Sequence, residues 1–579
     1  MSRRTEAGNY DWVIVDGIGA FFGAYAKRRI NWSKIPLAEL PVEGEEADRY
    51  WEGVREDMTE FVKRVRAHGY NTVTLDDVAH LTAHRSYSAE LMRRVERLSE
   101  EMRKVIAIIK GAGLKVLMTT DAVPTSGDLV HELGGKRARI AEYFYALIDQ
   151  FLTEFPEVDG VVLRLGEGDG KDVKGDLHNT LFVETAQQAN QLLKGLLQVM
   201  ERHGKMLLCR TWTVGAYQVG DLIWHRRRVR GLLQGIESPK FILSLKYGES
   251  DFFRYLPLTQ AFFETEVPKV IEFQARREYE GAGEYPSFIG WDVENYAHQL
   301  EQAQNLVGFS VWVQTGGWHA FKRRSYLASG SYWVELNSAV TVQVMQYGLS
   351  VDAALTKFYG SLKLEQVRRF LELANDAVLR GLYIEEFAKQ KWFFRRVRIP
   401  PLLHVYWDCI FFQHPIKKIS KHFVGDWEKA IADGYDVLQN FSEMESLART
   451  LGWGGDDVQF MHDTFEMIAL SREYMFAPFT EELRAKVIEK KRAYKAKYPR
   501  SERSRYRIKT DFTRVPLSSQ DLSILQRLFF RKKRGYRVID HLVTLRLLGR
   551  VYRIFHRRYE HKIPKFARKS AMGIETVLK

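Results

Sequence analysis

Along the first half of the chain, short apolar runs alternate with longer stretches in which apolar residues recur every three or four positions. The short runs are WVIVDG from Trp12, NTVTLDD from Asn71, KVLMTTDA from Lys115 and GVVLRLGEG from Gly160, then KMLLCRTWT from Lys205, FILSLKYGESD from Phe241, VIEFQARREYEG from Val270 and VGFSVWVQTGG from Val307. Each is rich in β-branched or aromatic residues and too short for a buried helix, so each predicts a strand. Eight strand-and-helix units in this length predict an α/β fold, a (β/α)8 TIM barrel rather than an open sheet. Glycines mark the stops. Gly69 ends the helical stretch before the second run, and Gly113 ends the one before the third.

Strand alternation also predicts which side chains point inward. On the seventh run Glu272, Gln274, Arg276 and Glu278 share one parity, on the sixth Ser244 and Lys246, on the eighth Ser310, Trp312 and Gln314. Arg164 and Arg210 join the same set, which makes a barrel mouth this polar suited to a hydrophilic ligand such as a sugar. The opposing reading is a set of internal salt bridges.

Beyond the barrel, residues 346–480 carry a helical pattern, as in VDAALTKFYGSLKLEQVRRFLELANDAVLRG. The expected division is a barrel over 1–345, an α-helical region over 346–480 and a basic helical extension over 481–579. The net charge is +14, and it is unevenly placed. Residues 481–579 hold about 29 Lys and Arg against about 9 Asp and Glu, so the remainder of the chain is mildly acidic. Polyanion or anionic-membrane binding is therefore expected of that extension alone, and its amphipathic helices also suit a homodimer contact. Two cysteines, Cys209 and Cys409, exclude a disulfide framework and suit a reducing, cytoplasmic setting, with the basic extension peripheral at a membrane. The start of the chain shows no secretory signal, and no run of about 18 apolar residues occurs.

The stretch GEGDGKD, from Gly166 to Asp172, is the most distinctive loop. Its residues fit a solvated turn, a phosphate loop, a cation site or a catalytic acid. A Walker loop needs Ser or Thr after the lysine, where Asp172 stands, and an EF-hand needs an oxygen ligand where Lys171 stands. Paired histidines after the first strand and a Gly-x-Ser-x-Gly elbow are both missing from the sequence. What remains at the predicted mouth is carboxylate: Glu167, Asp251 and Glu278, the residue type that glycoside hydrolysis requires on two sides of a sugar. Asp76 and Asp77 end the second run and suit sugar hydroxyls or helix capping. Trp212 and Trp312, with Trp291, suit sugar faces or core packing.

The stretch KYGESDFFRYLPLTQAFFETEVPKVIEFQARREYEGAGEY resembles glycoside hydrolase family 67, the α-glucuronidases. Asp251-Phe252, Pro268-Lys269, Glu272-Phe273-Gln274 and Glu278-Tyr279 follow in the family's order. The resemblance implies that Asp251 and Glu278 are the paired base carboxylates. It also implies that Glu167, in its Glu-Gly context, is the acid, and that Arg210 lies on the strand that serves the substrate. The chain is a divergent member in this reading, because its first barrel strand begins where the family carries a β-sandwich. The expected reaction is single displacement with inversion on a uronate-containing or related glycan. Glu167 protonates the leaving oxygen, Asp251 and Glu278 activate water, and Arg210 with Arg164 and Lys246 contacts the substrate. No cofactor or metal is expected. The alternatives are a barrel that binds a glycan without cleaving it, and a membrane or polyanion binder that acts through its basic extension.

Overall fold

The computed structural model describes residues 10–27, 29–31, 33–165, 176–179, 182–212, 219, 222, 225–314, 318–320, 326, 331–394, 397–499, 505–514 and a few positions from 520 to 554. Glu167, with the rest of its loop, lies outside the described residues.

All eight predicted runs are strands of one closed barrel. They are β1 (Trp12–Asp16), β2 (Thr72–Asp76), β3 (Lys115–Asp121), β4 (Gly160–Arg164), β5 (Met206–Arg210), β6 (Phe241–Lys246), β7 (Lys269–Gln274) and β8 (Leu306–Trp312). Each pairs in parallel with its neighbours in the chain, and β8 closes on β1. Between them run helices that include α1 (Gly44–His68), α2 (Ala89–Gly111), α3 (Arg137–Glu154), α4 (Ala186–His203), α5 (Arg226–Leu233), α6 (Gly290–Gln299) and, after β8, α7 (Tyr332–Tyr347). Gly69 ends α1 at φ 105°, a left-handed position that favours glycine, as the sequence pattern predicts.

The barrel is apolar at its floor and polar at its mouth. Trp12, Ile14, Leu117, Val162, Leu208, Ile242 and Val270 form an apolar cluster separate from the main core. One alternation further along the strands stand Asp16, Arg164, Arg210, Ser244 and Glu272, all buried. Period-two alternation thus places the predicted inward set above that cluster. The seam between β1 and β8 depends on Gly308, which pairs with Trp12. A Cβ there would lie 2.0 Å from the Trp12 carbonyl oxygen.

After α7 the chain is mainly helical, with several short strands among the described residues that depart from the helical expectation. A hairpin of β9 (Val405–Tyr406) and β10 (Cys409–Gln413) turns through Trp407 and Asp408. Within the basic extension, β11 (Arg507–Asp511) lies parallel to β10, and Arg507 grips Asp408 with Nε at 2.8 Å and Nη2 at 3.0 Å. Hydrophobic periodicity underrates such strands, because runs of two to five residues carry little pattern of their own. The hairpin feeds α8 (His414–Phe423), followed later by α9 (Gly455–Phe476) and α10 (Glu481–Lys497).

Part of the extension's positive charge is used inside the fold. Lys490, Lys486 and Lys497 of α10 reach Glu466, Glu473 and Asp463 of α9 at 3.0, 3.7 and 2.5 Å. Tyr494 bonds Thr464 at 3.0 Å, and the Tyr506 hydroxyl bonds that of Tyr285 at 2.9 Å. Residues 481–514 therefore cannot be removed without exposing the surfaces they cover, so truncation does not isolate the extension's binding properties. Among the described residues, no helix is long and apolar enough to cross a membrane.

Gly308→Ala should separate β1 from β8 and lower stability by about 1–3 kcal/mol, as overpacking against backbone does. Gly111→Ala, where the added Cβ meets nothing within 4 Å, is the control. Thermal unfolding of the two variants checks this, and equal midpoints would show that the seam tolerates a methyl group.

Candidate active site at the barrel mouth

The polar layer is organised by pairs of opposite charge that bridge strands. Arg210, at the end of β5, donates Nε to Glu272 Oε1 at 2.9 Å and Nη2 to Oε2 at 2.7 Å. Ser244 Oγ donates to Oε1 at 2.6 Å and Trp312 Nε1 to Oε2 at 3.2 Å. The Arg210 guanidinium also lies 4.5 Å from the centre of the Trp312 ring. Burial works to raise the pKa of Glu272, but the charge and the fork of Arg210 overcome it, so this carboxyl is held below its usual range. The arrangement is a bidentate, charge-assisted pair with its remaining lone pairs satisfied.

Arg164 is paired as well. Its Nη2 donates to Asp121 Oδ2 at 3.2 Å, its Nε lies 2.9 Å from Asp121 Oδ1, and Asp76 Oδ1 is 3.8 Å away. Lys34 adds a second cation to Asp121 at 2.7 Å, and Asp76 accepts the Ile35 backbone N–H at 3.1 Å. Burial pushes Asp76 up to about 6 against the pull of Arg164. Asp77 makes no capping bond with its side chain and instead meets His80 Nδ1 at 2.9 Å. Asp16 closes the layer by accepting the backbone N–H groups of Val313 and Gln314, which ties β1 to the end of β8.

Asp251 and Glu278 stand on the rims that follow β6 and β7. Asp251 accepts Lys246 Nζ at 2.6 Å and the Phe252 N–H at 2.9 Å on Oδ1, and the Tyr279 hydroxyl at 2.7 Å on Oδ2. Lys246 is further enclosed by the Trp212 ring, 3.8 Å from its centre, and by Phe252. Gln274 holds Glu278 with both ends of its amide: Oε1 accepts the Glu278 N–H at 2.6 Å, and Nε2 donates to Oε2 at 3.3 Å. Burial first, and then the charges of both Asp251 and Glu278, push the phenols of Tyr279 and Tyr406 upward. The two carboxylates therefore lie within electrostatic range of the same two phenols, and Asp251 bonds one of them. Glu278 is half-buried, whereas Asp16, Asp76, Asp121 and Glu272 are buried.

The structure thus gathers Asp251, Glu278, Lys246 and Trp212 on one side of the mouth. Arg210 and Trp312 meet at Glu272, and Asp76 and Asp121 meet at Arg164. Alternation in the sequence marked Glu272 as inward but not as the partner of Arg210. It gave no sign of Asp121, whose partners come from β4 and from the loop around Lys34. Tyr279, beside Glu278, was legible only as a neighbour in the resemblance. Tyr406 was not legible, because it arrives from the hairpin in the helical region. Among the described residues, no group of three or more His, Cys, Asp or Glu side chains forms a metal site.

No family model matches this chain, and no curated protein matches it. Similar solved structures include a protein named CpGH84B, at 9% identity and a TM-score of 0.40, with 85% of this chain and 74% of that chain covered. A family 89 glycoside hydrolase from Clostridium perfringens in complex with PUGNAc is similar at 10% identity and a TM-score of 0.45. Coverage is 83% of this chain and 54% of that one, so this chain spans about half its length. An O-GlcNAc hydrolase from Thermobaculum terrenum is similar at 11% identity and a TM-score of 0.37, with 76% and 85% covered. The likeness at these values fixes no chemistry for this chain.

Two outcomes follow from the charge pairs. Arg210→Leu leaves Glu272 buried without its counter-charge and should cost about 3–5 kcal/mol, read as a fall in the unfolding midpoint. Adding Glu272→Leu to it should restore much of that loss, and a single variant as stable as the parent would contradict the pairing. Asp76 has a folded pKa raised to about 6, so the folded state holds its proton longer than the unfolded chain does. Its contribution to stability should decline as pH rises from about 4 to about 6. Asp76→Asn should flatten that decline relative to the parent in urea unfolding at stepped pH, and parallel curves would show that Asp76 titrates normally.

Proposed function

We propose that the barrel mouth is the active site of a glycoside hydrolase and that Asp251 and Glu278 are its water-activating carboxylates. The observation that carries this reading is their placement on neighbouring rims joined by a hydrogen bond, in which Tyr279, the residue after Glu278, donates its hydroxyl to Asp251 at 2.7 Å. Each is held by separate positioning groups: Lys246 and Tyr279 for one, Gln274 for the other. A water between them would lose a proton to this pair as its oxygen attacks the anomeric carbon. On the opposite face the glycosidic C–O bond breaks, and the leaving oxygen needs a proton from an acid. Glu167, which follows β4 in the sequence, is our assignment for that acid. Two carboxyl groups on opposite faces with room for water give inversion, at a separation of roughly 6.5–9.5 Å.

The charge of the sugar is a separate question. The resemblance to α-glucuronidases puts a uronate in the substrate, with Arg210 as its anchor. Arg210 already spends Nε and Nη2 on Glu272, and Arg164 spends its charge on Asp121. A uronate would have to displace a carboxylate to take either fork. The pairs therefore favour an uncharged ring at Arg210, and the uronate rests on the resemblance alone.

Turnover should appear on neutral aryl glycosides at least as readily as on matched uronides. On the best substrate, Asp251→Asn and Glu278→Gln should each lower kcat by about 10²–10⁴-fold with little change in KM. Glu167→Gln should lose activity on poor leaving groups and keep it on activated ones. Activity confined to uronides would restore the uronate reading, and unchanged kcat in both base variants would overturn the site.

A further inference from the structure

A second charged cavity lies at the end of β10 remote from the hairpin turn, where the strand passes into α8. It has a volume of about 280 Å³ and is framed by the start of α8, the end of α9 and the residues that follow β11. Its apolar part is a box of three rings: Tyr474 lies 5.6 Å from Phe512 and 5.9 Å from Phe479, and Phe479 lies 5.7 Å from Phe512. Four basic residues line the same cavity: His414, Lys417, Lys418 and Arg514. Lys417 is fixed there, since its Nζ donates to the carbonyls of Tyr474 at 2.6 Å and Ala477 at 2.5 Å.

No carboxylate among the described residues lines the cavity. Asp511, at the end of β11, is exposed and accepts the Thr513 N–H at 3.1 Å. Burial, and then the charge of Lys421, bring Lys417 down to about 8. His414 is lowered by burial and then by Lys418, Arg514 and Lys417. Arginine supplies a planar fork and lysine a compact charge, a combination suited to the tetrahedral oxygens of phosphate. The ring box suits an apolar or flat group attached to that phosphate.

We propose that this cavity binds a phosphate-bearing anion, either a soluble phosphate ester or the headgroup of an acidic phospholipid. The site is independent of the glycosidase assignment and lies outside the barrel. Its lining includes Arg514, a residue of the basic extension for which anionic-surface binding is expected.

The test uses the full chain, with inorganic pyrophosphate as the probe in titration calorimetry. Lys418→Ala combined with Arg514→Ala removes two lining charges and leaves Lys417, which holds the end of α9, in place. Lys104→Ala combined with Arg368→Ala removes the same charge from remote exposed positions. The cavity variant should bind pyrophosphate at least tenfold more weakly than the parent, and the remote variant within twofold of it. Sedimentation with phosphatidylcholine vesicles, with and without phosphatidic acid, identifies the source. Loss of acid-dependent binding in the cavity variant alone assigns a lipid headgroup, and no vesicle binding by the parent assigns a soluble ester. Absence of pyrophosphate binding to the parent, or equal weakening in both variants, would overturn the site.

Discussion

Buried charge is the constraint on which the barrel mouth depends. An arginine taken out of water is tolerated only where a carboxylate meets it with good geometry and the remaining donors and acceptors are also satisfied. Arg210 meets Glu272 across β5 and β7, Arg164 meets Asp121 across β4 and β3, and Lys246 meets Asp251 on the rim after β6. The same rule joins the barrel to the helical region. Glu280 is fully buried among Arg254 and Arg277, whose charges overcome the effect of burial and bring it down to about 2, and it accepts the Tyr383 hydroxyl at 2.7 Å. Such pairs fix which strand end faces which, and so they set where the catalytic candidates can stand.

That constraint also separates the carboxylates engaged in charge pairs from those proposed to react. Glu272 is surrounded by donors from Arg210, Ser244 and Trp312, leaving its oxygens little capacity for a substrate. Glu278 is half-buried and is steadied by a neutral amide, so its charge is not cancelled by that contact. Asp251 lies between these cases, with Lys246 on one oxygen and a phenol on the other. In the proposed mechanism each member keeps a fixed direction toward the shared water, which is what positioning contributes to catalysis.

Much of the barrel was legible because strand periodicity is local. Runs such as TVTLD and FILSLK carry their apolar, β-branched signature within five or six residues, and the parity that put Arg210, Lys246 and Glu272 inside needs nothing else. Pairing is not local. Arg210 finds Glu272 across 62 residues, and no spacing rule predicts that contact. The internal salt bridges weighed against a sugar site are therefore present for both arginines, which leaves the proposed sugar site to the Asp251 and Glu278 side. Part of the basic extension's role was illegible for the same reason: α10 pairs three of its lysines with acids of α9, and Arg507 of β11 pins Asp408 in the hairpin turn.

The central claim is that Asp251 and Glu278 work through a water and not as a nucleophile. Proton NMR of a freshly mixed reaction, recorded before the product mutarotates, tests this most directly. The account predicts that the first-formed sugar has the anomeric configuration opposite to that of the substrate. A first-formed sugar that keeps the substrate's configuration would mean a covalent or substrate-assisted intermediate, and would contradict the roles given to both residues.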